Sequence, residues 1–279
     1  MAAPARWTEI GDRVFVRRYA FFDQNIGVVL GRDAALVIDT RTTYPQAREI
    51  LDDLRTLTSA AVEVVVDTHG HYDHAFGNRI FRPATIWGHV GCAPFMERTG
   101  DARRPRMIAE LPELADDLRE VEIDPPDRSF EDQAVIEVGG REVELRFLGR
   151  GHTDHDAVVL VPGTDVVFGG DLIENGAVPA FDDSYPLEWA DTVDRLAPLV
   201  EGIAVPGHGD PGGADWVRDQ AAALRAVADL GRRMAAGELE LDDAVELTPY
   251  PDYPAEDIRR PLKRAAAHAR DELTGAVPG

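Results

Sequence analysis

Short apolar runs ending in turns, a helical stretch between two of them, and a second half that repeats the plan predict an α/β fold. The layout expected is a four-layer αββα sandwich, two sheets with helices outside. Three observations carry this. Residues 34–39 and 62–66 are strand-like and enclose residues 43–57, where Ala47, Ile50, Leu51 and Leu54 recur at helical spacing, a βαβ-like unit. In the second half, strand-like residues 134–138 and 142–147 flank a Gly139-Gly140 turn, as in a hairpin. Finally, an apolar run is followed four times by a turn and then by a His or Asp, which suggests strand ends converging on one sheet edge, where open α/β folds place their sites.

In chain order, residues 13–17, 26–30 and 34–39 read as a strand meander separated by Gly and Asp turn signals. The loop after the first strand carries Phe21 and Phe22, which are either core plugs or an exposed flap over a pocket. After residues 62–66, a short helix over 75–80, a strand over 84–90 and a helical turn over 93–98 are predicted, with His89 a structural residue on the strand rather than at its end. Residues 101–120 read as helical with interruptions at Pro105 and Pro112. Arg103, Arg104 and Arg106 form a dense basic patch there. A solvated helix face is the simpler reading, and reception of a substrate carboxylate the sharper one.

The second half adds strands over 156–161 and 166–168, a helix over 187–200, a strand over 203–205 and a long helix over 214–236. Glu174, Asn175, Phe181 and Tyr185 fall in a loop expected to border the cleft; loop packing is the simpler reading for Phe181 and Tyr185, and an apolar wall and an oxyanion donor, respectively, the sharper ones. Residues 1–237 are taken as the main domain and 238–279 as a helical extension. The extension holds a turn at Tyr250 to Pro254 and a final helix over 256–273, with His268 exposed on it, and is a candidate homodimer surface.

A formal charge of −22 and a pI of about 4.6 give a mean surface field that repels phosphate backbones and anionic lipid, so nucleic-acid and membrane partners are disfavoured. Cys92 is the single cysteine and permits no intrachain disulfide, as suits a reducing compartment. The opening residues lack the apolar core of a signal peptide, and a cytoplasmic location is the expectation.

The chemistry concentrates in Thr68-His69-Gly70-His71-Tyr72-Asp73-His74. Three imidazoles and a carboxylate at the end of a strand are transition-metal ligands by type. His69 and His71, two apart, share one face of an extended segment. Asp73 and His74 fall where a helix should begin, which turns them toward a second ion. The other strand ends supply His152, Asp171 and His208.

With these residues in place the chain resembles the metallo-β-lactamase-fold hydrolases over roughly its first 240 residues. The resemblance implies that His69, His71 and His152 hold one metal and that Asp73, His74 and His208 hold the other, with Asp171 bridging. It implies two Zn2+, with Fe or Mn as alternatives, and hydrolysis of a small-molecule acyl substrate by a metal-bridging hydroxide that Asp73 orients and deprotonates. True metallo-β-lactamases generally lack a bridging Asp at the position of Asp171, where one branch has a cysteine. Asp171 therefore makes the chain look more like thioesterase, glyoxalase II and lactonase relatives, and the expected reaction is cleavage of an ester, thioester or lactone. The alternatives are hydrolysis of a cyclic amide of the β-lactam kind and a mononuclear-iron sulfur dioxygenase of the same fold.

Overall fold

The computed structural model describes residues 7–274. They form twelve strands and eight α-helices. In order these are β1 (Thr8–Gly11), β2 (Val14–Tyr19), β3 (Gln24–Leu30), β4 (Ala34–Ile38), α1 (Tyr44–Leu54), β5 (Ala61–Val66), α2 (Tyr72–Ala75), β6 (Thr85–His89), α3 (Cys92–Glu110), α4 (Ala115–Glu120), β7 (Arg128–Phe130), β8 (Gln133–Val138), β9 (Arg141–Phe147), β10 (Ala157–Val161), β11 (Val166–Gly170), α5 (Pro186–Leu196), β12 (Ile203–Pro206), α6 (Ala214–Ala235), α7 (Leu241–Glu246) and α8 (Ala255–Thr274). The chain divides into two compact units, residues 1–147 with 157–168 and residues 148–156 with 169–279. The reading of the opening residues as lacking a signal peptide lies largely outside the described residues, as does the end of the predicted extension.

In the first unit β1 to β7 form one sheet in chain order. β2, β3 and β4 are antiparallel neighbours, and β4 to β7 are parallel. The parallel part follows from the connections, because α1 carries the chain back between β4 and β5. All seven residues of β3 are buried, so both faces of the sheet are covered. On one face Ile26, Val28, Val37, Val65 and Ile86 pack with Ala47, Ile50 and Leu54 of α1, the stripe the sequence predicts. The alternate residues face the antiparallel strands β8 to β11. There Gly27 of β3 is so close to β11 that a Cβ atom would stand 2.5 Å from Cε1 of Phe168. Sheet lies on sheet through side chains sized for a close approach.

In the second unit β12 lies beside the end of β11, where the Gly207 N–H donates to the Gly170 carbonyl at 2.9 Å. α5 turns Trp189, Val193 and Leu196 inward. α6 and α8 meet closely enough that a Cβ on Gly231 would stand 2.5 Å from that of Ala265. Leu187, Ala228 and Ala269 knit the three helices together. Among the described residues no helix is long and apolar enough to cross a membrane.

Several expectations need correction. α3 continues through Pro105, because its packing on both sides of that residue, Phe95 and Met96 before it and Met107 after it, outweighs the lost hydrogen bond. Pro112 does break the helix. The helix expected at 75–80 begins earlier, at Tyr72, and gives way to a 3-10 turn at Asn78–Phe81. His89 is the last residue of β6, where its ring stacks on Phe147 with centroids 4.2 Å apart, a packing role. His268 is 5% exposed, not free in solvent, because α8 turns it toward Tyr185.

The tight β3 to β11 approach predicts that Gly27→Val destabilises the fold by about 1–3 kcal/mol, through overpacking. Urea unfolding checks this, and Gly27→Ala combined with Phe168→Leu should recover part of the loss. An unchanged midpoint for Gly27→Val would contradict the packing described.

Candidate metal centre

In the first unit β5 delivers the histidine motif. The strand ends at Val66, the chain bends through Thr68, His69 and Gly70 rather than running on extended, and α2 begins with His71 as its cap. The rings of His69 and His71 stand 4.7 Å apart and nearly perpendicular, at 87°, and those of His69 and His74 stand 4.2 Å apart. Ligand atoms of His69 and His71 lie within 4.8 Å of one another, as do those of His69 and His74. Nε2 of His74 faces Oδ2 of Asp73 at 3.5 Å. His69 and His74 are wholly buried, while His71 and Asp73 keep some exposure.

Behind these rings stands Asp39, just past the end of β4, with a left-handed backbone (φ 66°) that an aspartate tolerates. Its Oδ1 accepts the Thr68 N–H at 2.8 Å, and its Oδ2 accepts the Thr68 hydroxyl at 2.9 Å and lies 2.8 Å from Nδ1 of His74. The proton of that pair therefore belongs on Nδ1, which leaves Nε2 of His74 as the ligand nitrogen. The Thr68 hydroxyl has given its one proton to Asp39. It therefore accepts from Nδ1 of His69 at 3.1 Å, and His69 too presents Nε2. The His74 carbonyl is held by the N–H and hydroxyl of Thr40, at 2.6 and 3.0 Å. Asp67, wholly buried, accepts from Asn78 at 2.7 Å, and burial pushes its carboxyl well above the usual range against the effect of that donor.

In the second unit the three predicted ligands also meet. Oδ2 of Asp171 lies 3.5 Å from Nε2 of His152 and 3.4 Å from Nε2 of His208. Asp171 follows Gly169 and Gly170 at the end of β11, and His208 follows β12, which pairs there. Nδ1 of His152 donates to the Ala180 carbonyl at 3.1 Å, so this histidine is set in the same tautomer as His69 and His74. Glu174, 8% exposed, joins His152 and Asp171 in a trio whose ligand atoms lie within 4.8 Å of one another.

The donor set fits a divalent transition metal. Two donors held about 2.0–2.1 Å from one tetrahedral ion stand about 3.4 Å apart. The facing nitrogen and carboxylate atoms above are 3.4 to 3.5 Å apart, too far for hydrogen bonds of ordinary strength and suited to a shared cation.

The loop residues turn out differently from one another. The Tyr185 hydroxyl donates to Asp154 at 3.1 Å and its ring lies under Arg150, so it is committed away from the oxyanion role. Burial, then the Asp154 charge, pushes its pKa up. Phe181 is 1% exposed and packs 4.9 Å from Trp189, whose ring meets His152 at 5.6 Å, so it backs the ligand more than it walls a groove. Phe22 reaches the motif, its ring 6.0 Å from Tyr72, with Phe21 beside it. In the basic patch Arg106 pairs with Glu110 at 2.8 Å and Arg104 holds the Leu118 carbonyl and Asp101. Arg103 lies over Phe95 at 5.2 Å, and Phe95 meets His71 at 5.5 Å. Sequence reasoning passed over Asp39, although it ends a strand as Asp171 does.

The two clusters, on a fold of two sheets with flanking helices, define a metal-dependent hydrolase. Residues 19–208 match the family described as the metallo-beta-lactamase superfamily, and the chain belongs to it. It is 21% identical over 223 residues to a metallo-beta-lactamase type 2 of Bacteroides fragilis, covering 75% of this chain and 81% of that one. A metallo-beta-lactamase type 2 of Bacillus cereus is 23% identical over 192 residues, 67% of each chain. Among solved structures, a metallo-beta-lactamase from Pontibacter korlensis superposes with a TM-score of 0.66 at 20% identity, over 79% of this chain and 99% of that one.

Since Asp39 sets the rings of His69 and His74, both candidate ligands, Asp39→Ala should weaken divalent-metal binding about 10- to 100-fold. Competition with a chromophoric chelator measures this, and wild-type affinity in the variant would contradict the role assigned.

Proposed function

We propose that the two clusters are halves of one binuclear zinc site and that the enzyme cleaves an ester, thioester or lactone of a small acyl substrate. In this reading His69, His71 and His152 hold one ion, Asp73, His74 and His208 hold the other, and Asp171 serves both. The observation that carries it is the position of one atom. Oδ2 of Asp171 faces the Nε2 atoms of His152 and His208 together, at 3.5 and 3.4 Å, as a carboxylate shared between two cations would. The family match, which spans every one of these residues, supports the same grouping.

When bound, a pair of divalent ions supplies Lewis acidity toward a carbonyl and brings the pKa of a water toward neutrality. The chain's own groups do the rest. Asp73, partly exposed at the head of α2, can orient that water and take its proton. Asp39, Thr68 and the Ala180 carbonyl keep the imidazole protons on Nδ1, away from the substrate side. An alkoxide or thiolate leaves without being protonated, whereas an amide nitrogen needs an acid. The Tyr185 hydroxyl, engaged with Asp154, is not that acid, which favours the oxygen and sulfur leaving groups. The charge of −22 argues against a nucleic-acid substrate. The β-lactamase relatives favour a second reading, hydrolysis of a cyclic amide.

A panel assay of zinc-loaded protein decides between them. Activated thioesters and lactones should be turned over with higher kcat/KM than a nitrocefin-type lactam, and His71→Ala and Asp171→Ala should lose metal and hydrolysis together while retaining the native circular dichroism. Preference for the lactam would favour the second reading. Oxygen uptake with a persulfide, one bound iron and no hydrolysis would overturn both.

A further inference from the structure

The loop after Asp171 makes a contact that the proposed chemistry does not use. Glu174 is buried, and its Oε1 accepts the Ala180 N–H at 3.0 Å. The carbonyl of that same residue accepts from Nδ1 of His152 at 3.1 Å. Ala180 is thus held at both its amide and its carbonyl, with a carboxylate at one end and a ligand imidazole at the other. The two groups belong to different peptide units on either side of the Ala180 Cα, so Glu174 acts by fixing where the Ala180 carbonyl stands, and with it the orientation of the imidazole.

Glu174 could instead be a metal ligand, since it sits within reach of His152 and Asp171. The ring decides against this. Oε1 of Glu174 lies 3.9 Å from Nδ1 of His152, whereas Oδ2 of Asp171 lies 3.5 Å from Nε2. The two carboxylates address opposite edges of one imidazole. Asp171 is on the ligand side and Glu174 on the supporting side.

The loop itself is tied down by the long C-terminal helices. Gln220 of α6 donates to the Glu174 carbonyl at 2.7 Å. Arg264 of α8 reaches the Ser184 carbonyl through Nε and Nη2, at 3.1 and 3.0 Å, and Arg260 pairs with Asp182 at 2.8 Å. Those contacts pin the loop before and after Ala180.

We propose that Glu174 is a positioning residue for His152, acting through Ala180 on a loop that α6 and α8 hold in place. This gives the C-terminal helices a part in building the metal site. The inference rests on His152 being a metal ligand, as proposed above.

Zinc affinity, measured by chelator competition, tests it on three full-length proteins. Glu174→Ala should bind zinc about 10- to 100-fold more weakly than wild type. Glu174→Gln keeps an oxygen to accept the Ala180 N–H and should restore affinity to within a few-fold. Equal affinity of Glu174→Ala and wild type, or a Glu174→Gln as weak as the alanine variant, would overturn the proposal. If wild type itself fails to bind zinc, the ligand assignment falls instead. Should Glu174→Ala not fold, hydrogen exchange on wild type serves. Zinc should slow exchange of the Ala180 amide about tenfold or more, as expected if metal and loop are energetically linked, and identical exchange with and without zinc would overturn the proposal.

Discussion

A neutral imidazole carries one proton and offers one lone pair, so the chemistry proposed for the two clusters depends on where three protons are kept. Asp39 keeps one on Nδ1 of His74, Thr68 keeps one on Nδ1 of His69 because its own proton goes to Asp39, and the Ala180 carbonyl keeps the third on Nδ1 of His152. All three Nε2 atoms are thereby available as ligands. A single carboxylate, placed by a left-handed residue at the end of β4, controls two of the three.

The fold makes this arrangement affordable to build from separate stretches of chain. Strands end where the proposed ligands begin. β5 leads into the His69 to His74 motif, β11 into Asp171 and β12 into His208, while β4 leads into the supporting Asp39. β4 and β11 are buried throughout, and β5 and β12 over their last three residues, so the strand ends are held with little freedom. Gly169 serves the same end, since a Cβ there would stand 2.6 Å from Cγ1 of Ile173.

Much of this is readable from residue order. The spacing of His69, His71, Asp73 and His74 is a local pattern, and helical stripes such as Ala47, Ile50 and Leu54 report the face they bury. What escapes sequence reasoning is of two kinds. Short or strained elements carry too little pattern, as with β7, three residues long, or Pro105 inside α3, where packing overrides a local breaker. Supporting contacts made through the backbone have no sequence signature at all. The Ala180 carbonyl that sets His152 belongs to a residue whose side chain says nothing. Asp39 was legible in principle, because it ends an apolar strand as Asp171 does, but a strand-end aspartate also caps turns, and without partners in view that reading prevails.

Crystals of the zinc-loaded enzyme, examined by anomalous scattering at the zinc edge, test the central claim most directly. Two peaks should appear, each ligated by histidine Nε2 atoms, with the Asp171 carboxylate between them. A single peak, or ligation through Nδ1 of His69, His74 or His152, would contradict it.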